Sequence, residues 1–147
     1  MKITLKNADI AKTYNFVEQI KVKGKDALAL AKFIKLLRQT LAAASEDEQT
    51  LADQFAQKDA DGTAKTNPNG NVLLDPTLVT DYKKSHADWL DQEAEIEGGT
   101  YVNHIDDVDR ILDEYVEKTE IGGPDLEAYL SLHEAFEAAQ STKKGVN

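Results

Sequence analysis

The 147 residues contain no cysteine, three prolines, one methionine and one tryptophan. Without cysteine there can be neither disulfides nor thiolate metal sites, which fits a reducing cytoplasm. No apolar run approaches the ~20 residues that a membrane-spanning helix needs. The opening Met1-Lys2-Ile3-Thr4-Leu5-Lys6 alternates polar and apolar residues where a secretory signal would carry an unbroken apolar core. Positive charge is in short supply, since 17 Lys and Arg against 27 Asp and Glu leave a net charge of −10. Such a surface repels phosphate backbones and anionic membranes. Lys32, Lys35 and Arg38 form one basic group and Lys2, Lys6, Lys21, Lys23 and Lys25 another, and both read as solvated faces. Nucleic acid and membrane are therefore not expected partners.

Catalytic motifs are also missing. There is no Gly-x-Ser-x-Gly and no glycine loop that would cradle a phosphate. Three histidines are present. His104 with Asp106 and Asp107 is a conceivable divalent-metal set, but adjacent aspartates at a helix start more often serve as cap and dipole partners. Asp59-Ala60-Asp61-Gly62 has the look of a calcium loop. Aligned on Gly62, however, that loop would begin at Gln57 and end at Pro68, where Asp and Glu are required. His133, beside Glu134, reads as a packed core residue. The expectation is a non-enzymatic protein with no catalytic, cofactor-binding or metal residues, and no interaction residues are singled out.

What the sequence does carry is an amphipathic scaffold. Ala27, Leu30, Ile34, Leu37, Leu41, Ala44, Leu51 and Phe55 follow a three-and-four spacing, one stripe on a helix of 3.6 residues per turn, interrupted only by Glu48. No Pro or Gly lies between Lys25 and Ala60, and the predicted rod is about 45 Å long. Asp75-Pro76 opens a return helix ending at Gly98-Gly99, whose stripe is Leu78, Tyr82, Ser85, Trp89, Gln92 and Ile96. Laid antiparallel, the two stripes set Leu78 near Phe55, Tyr82 near Leu51, Ser85 near Glu48, Trp89 near Ala44 and Ile96 near Leu37. Ser85 and His86 opposite Glu48 form a polar layer that fixes the register of the hairpin.

The remaining elements are shorter. Lys2–Lys6 reads as a strand with Ile3 and Leu5 on one face. Asn7 is the expected cap of a helix that buries Ile10, Tyr14, Val17 and Ile20 and closes at Gly24. Residues 62–74 read as a small β-hairpin or ordered loop at the tip of the long hairpin, with Asn69-Gly70 as its turn. Thr100–Ile105 is expected as a mid-chain strand pairing with Lys2–Lys6. A helix from Asp106 carries Val108, Ile111, Leu112, Tyr115 and Val116. The last helix follows Gly122-Gly123-Pro124 and presents Leu126, Tyr129, Leu130, His133 and Phe136. No internal repeat stands out. The predicted fold is thus mainly α, a single helical-hairpin domain over 1–140 with minor β, C-terminal helices and a flexible tail over 141–147. A second apolar stripe through Phe33, Leu36 and Leu90 offers a homodimer surface.

Four features together resemble a family of small uncharacterised proteins from phages and prophages of Gram-positive, lactic-acid bacteria. They are the opening Met1 to Ile10, the long helix, the Lys58-Asp59-Ala60-Asp61-Gly62 turn with the Asn-Gly turn after it, and the acidic return helix. The resemblance covers about the first two thirds of the chain. It implies a phage-encoded accessory protein, a tail or particle assembly factor or minor structural component, contacting other phage structural proteins in the host cytoplasm or within the virion. The alternative expectation is an acidic inhibitor that fills a host protein's nucleic-acid groove with the carboxylates of Glu93–Glu97 and Asp106–Glu120. Ionic strength separates the two, since groove mimicry weakens steeply with salt and packed apolar contact does not.

Overall fold

The computed structural model describes residues 2–97 and 102–144, with 102–105 and 143–144 as backbone alone. These residues form two compact units, one made of the chain up to Leu41 together with the chain from Glu93 onward, the other of Ala42–Gln92. The described residues are mainly helical, with five helices and one two-stranded antiparallel sheet.

In the first unit, β1 (Lys2–Lys6) turns Ile3 and Leu5 into the core, as expected. Among the described residues its partner is not the expected mid-chain strand. It is β2 (Glu93–Glu97), antiparallel, with Ile3 opposite Ile96 and Lys2 and Lys6 opposite Glu97 and Glu93. Residues 102–105 are instead helical, and 98–101, including the expected Gly98-Gly99 stop, lie outside the described residues. Glu and Ala favour helix over strand, so local preference alone would carry the return helix through this stretch. The sheet overrides it because Ile96 is 2% exposed on the inner face while the glutamates point outward against the lysines of β1. Lys2 Nζ lies 3.1 Å from Glu95 Oε1.

Helix α1 (Asn7–Glu18) buries Ile10, Thr13, Phe16 and Val17, while Tyr14 is half-buried. Lys6, rather than Asn7, occupies the capping position. The helix also stops well short of Gly24. That glycine, at φ +66°, opens the next helix instead, its carbonyl accepting from the Ala27 N–H at 3.1 Å. Helix α2 (Lys25–Gln54) is unbroken. Its portion in the first unit buries Ala29, Leu30, Phe33 and Leu37, whereas Ala27 is exposed and Ile34 only half-buried. Phe33, expected on a dimer face, lies in the core with its ring centroid 6.2 Å from that of Phe136.

Helix α4 (Val102–Lys118) buries Val108, Ile111 and Leu112, and α5 (Pro124–Lys144) lies against α1 and β1. The inner face of α5 is Ala128, Leu132, Ala135 and Phe136, rotated from the expected one, so Leu126 and Leu130 are 52% and 54% exposed. Tight approach to α1 favours the two alanines over leucine at the seam. Residues 141–144, expected as tail, continue the helix, and 145–147 lie outside the described residues.

The second unit comprises the end of α2, a cap over 55–78, and α3 (Val79–Asp91). In place of one hairpin, the cap closes three chain passes into a ring. The Gln57 N–H donates to the Leu73 carbonyl, Lys65 to Gln57, and Leu73 to Lys65, at 2.8, 2.8 and 2.9 Å. The same positions recur every eight residues. Asp59, Asn67 and Asp75 donate their N–H groups to the carbonyls of Thr63, Asn71 and Phe55, and accept from Gly62, Gly70 and Leu78 at their own. Their Oδ1 atoms accept from the amides of Asp61, Asn69 and Thr77 at 2.9 Å each. Phe55–Gly62, Thr63–Gly70 and Asn71–Leu78 are therefore three copies of one eight-residue unit. In the first two copies the eighth residue is glycine at φ +81° and +84°, and in the third Leu78 leads into α3.

Candidate functional site

The second unit brings all of its aromatic side chains, with His86, into one column. Phe55 stands edge-on to Tyr82 at 5.8 Å, Tyr82 stacks on His86 at 5.4 Å, and His86 stacks on Trp89 at 5.6 Å between ring centroids. Positions 82, 86 and 89 follow helical spacing on α3, which is why these three rings line up. His86 Nε2 lies 2.8 Å from Glu48 Oε2, so the expected polar contact between the return helix and Glu48 is present, made by His86. Burial raises the Tyr82 phenol above its ordinary value, with the Glu48 carboxylate adding to the shift.

Beside the column lies a groove of about 370 Å³ lined by Asp47, Leu51, Gln54, Ser85, Asp88 and Trp89, among others. No residue of α3 is fully buried, although its apolar stripe is aromatic. Ala44 and Ala56 are the buried apolar residues of this unit. The arrangement is an amphipathic strip of half-exposed rings flanked by two carboxylates, a composition found at the anchoring centres of protein interfaces. At the end of the strip the three turns of the cap hold their polar groups internally. Asp75 in particular is held below the usual carboxylate range by the Thr77 amide and hydroxyl that donate to it.

Several of the carboxylates expected as an acidic face in the first unit are engaged at home, and Asp26 of α2 shares one of their partners. Arg110 Nη2 meets Asp26 Oδ1 at 2.6 Å, and Arg110 Nη1 meets Glu114 at 3.1 Å. Tyr129 Oη donates to Asp113 at 2.8 Å, and Gln140 Nε2 donates to Asp109 at 2.8 Å. Burial, with the Asp113 hydrogen bond second, pushes the Tyr129 phenol up to about 12. Asp109 is raised by burial despite its bond to Gln140. His133 Nε2 pairs with Glu137 Oε1 at 3.1 Å. The side chain of His104 lies outside the described residues, so the His104, Asp106 and Asp107 set has no geometry here. Among the described residues no group of three or more His, Asp or Glu is placed to hold a metal ion, and no helix is long and apolar enough to cross a membrane. Within the Asp59 turn, Oδ1 already accepts two backbone amides, from Asp61 and Thr63.

The three turns and the Glu48 contact had sequence signals. The aromatic column had one as well, the 82, 86 and 89 spacing, hidden because His86 belongs to no apolar stripe.

Residues 1–145 match the model of a family described as "Protein of unknown function (DUF1617)". No curated protein matches, and no solved structure matches.

Proposed function

We propose that this chain, which belongs to the DUF1617 family of proteins of unknown function, works without catalysis by contacting another protein through the aromatic strip of its second unit. The observation that carries this reading is α3 itself, a helix bearing Tyr82, His86 and Trp89 in register and burying none of them fully. A monomer gains little from leaving such a strip half-wet, whereas a partner covering it would gain the burial of large rigid rings.

The finer reading is an antiparallel helical hairpin with the cap at its tip. The Phe55 to Tyr82 and Glu48 to His86 contacts support it, because they run in opposite senses along α2 and α3. The resemblance to phage and prophage proteins adds the setting: an accessory factor for tail or particle assembly, or a minor structural component, acting in the host cytoplasm on other phage structural proteins. Groove mimicry is less favoured, since Asp107, Asp109, Asp113 and Glu114 of the face it would use are taken up by Arg110, Gln140 and Tyr129.

The test is capture from phage-induced cells with wild-type protein and with Trp89→Ala, followed by titration of whatever wild type alone recovers. Trp89 is the only tryptophan, so its emission reports cover of the strip directly. Recovery of a particle protein that shifts the emission, with little loss between low and high salt, is the expected result. Equal recovery by Trp89→Ala, or binding that collapses with salt, overturns the reading.

A further inference from the structure

A cavity of about 370 Å³ in the first unit runs between the segment that leaves α1 and the C-terminal half of α4. Its apolar lining is Ile20, Val22, Ile111 and Tyr115, and of these Ile20 and Ile111 are 6% and 2% exposed, so the floor is sealed. Tyr115 is braced from behind by Phe16, whose ring stands edge-on at 5.9 Å.

Two further lining residues, Lys21 and Lys118, are cations without a carboxylate partner among the described residues. Glu114 also lines the cavity, but it is committed to Arg110 at 3.1 Å. In a chain with ten more acidic than basic residues, two unpaired ammonium groups at one cavity are a local reversal of sign. Lys118 also complements the C-terminus of its own helix. Lys21 stands outside any helix and has no such duty.

The backbone adds a third element. Residues 20–23 have no regular secondary structure, and among the described residues the amides of Lys21 and Val22, both of which line the cavity, donate to no backbone acceptor. A segment of chain lying in the cavity would find those donors beside it, as peptides do along an open strand edge.

We propose that this cavity is a docking site for a short peptide segment of a partner protein in which one apolar residue is flanked by aspartate or glutamate. The apolar residue fills the space over Ile20 and Ile111, the flanking carboxylates meet Lys21 and Lys118, and the segment's carbonyls accept from the amides of Lys21 and Val22. The site belongs to the first unit and does not rest on the aromatic strip, so loss of either reading leaves the other standing.

The experiment is an amide-resolved NMR titration of the full chain with three probes: acetyl-Glu-Leu-Glu-amide, acetyl-Lys-Leu-Lys-amide and octanoate. The expected result is a set of shifts confined to Ile20–Lys23 and Ile111–Thr119 with the acidic peptide. The shifts should weaken about fivefold or more in Lys21→Glu with Lys118→Glu, and less in the neutral pair Lys21→Gln with Lys118→Gln. Both pairs change exposed side chains, and an unchanged spectrum elsewhere shows that the fold is kept. Absence of localised shifts with the acidic peptide overturns the proposal. Equal shifts with the lysine peptide, or shifts with octanoate alone, overturn it as well, the last pointing to a lipid-type carboxylate.

Discussion

Asp59, Asn67 and Asp75 each use one side-chain oxygen to hold the amide two residues on, and that bond sets the shape of the cap. The residue after each is Ala60, Pro68 and Pro76, so two of three equivalent positions already tolerate the fixed φ of proline. Ala60→Pro is therefore expected to stabilise the protein by about 0.4–1 kcal/mol, chiefly by restricting the unfolded chain. Asn67→Ala removes an acceptor for both the Asn69 and the Asn71 amides and should cost about 1 kcal/mol or more. Thermal melts of both variants check the pair, and a fall in midpoint for Ala60→Pro counts against equivalence of the three copies. Titration separates two carboxylates of opposite sign. Asp75 has its folded pKa lowered from 3.8, so its contribution is fully present above that value and is lost as pH falls through the folded value. Asp109 is raised from 3.8 by burial, so its ionisation weighs against the fold progressively as pH rises above 3.8 and in full once pH exceeds its raised folded value. Asp109→Asn, which keeps an acceptor for Gln140, should melt higher than wild type near pH 7. The difference should close below pH 3.8, where both folded and unfolded carboxyls are protonated.

At the scale of elements, the sheet is where local preference and tertiary pairing disagree. Glu93, Ala94, Glu95 and Glu97 are better placed in a helix, and Ile96 falls seven residues after Trp89, on the same helical face. Only β1, with a buried Ile3 opposite Ile96 and lysines opposite the glutamates, makes the strand worth forming. Ile96→Ala is expected to cost about 2–5 kcal/mol, whereas Glu95→Ala, which breaks a surface pair with Lys2, should cost under about 1 kcal/mol. Denaturant midpoints of the two variants distinguish a sheet held by its buried face from one held by its charges. Similar losses for both would contradict the packing account. The cap shows the converse. Its Asp-Gly and Asn-Gly turns are legible as turns, yet the eight-residue recurrence is not, because the third copy replaces glycine with Leu78 and the second Asx residue with Thr77. Hydrogen bonds among Gln57, Lys65 and Leu73 tie the copies together, and those lie between main-chain atoms that no residue name reports.

Across the whole molecule, burial is unequally shared. Phe16, Phe33, Phe136, Leu37, Ile111 and Leu132 lie in the first unit, while the buried apolar residues described in the second are Ala44 and Ala56. Local opening free energy follows buried apolar contact. Amides of α3 should therefore exchange with solvent well before those of the buried face of α5, and hydrogen exchange measured by peptide mass spectrometry checks this. Uniform protection across both units would mean that the second unit is held by something other than its own side chains.

The amino-acid sequence by itself determined the long unbroken helix, the first strand, the positions of the turns and the acidity of the surface. Each follows from neighbours a few residues apart: periodicity, propensity, turn chemistry and summed charge. Tertiary structure alone decided which face of α2 and α5 is core, where α3 stops, which strand pairs with β1, and that Lys21 and Lys118 share a cavity with Ile20 and Ile111. A helix with leucine, alanine and phenylalanine on several sides has more than one face that could be buried, and only the surface it meets selects among them.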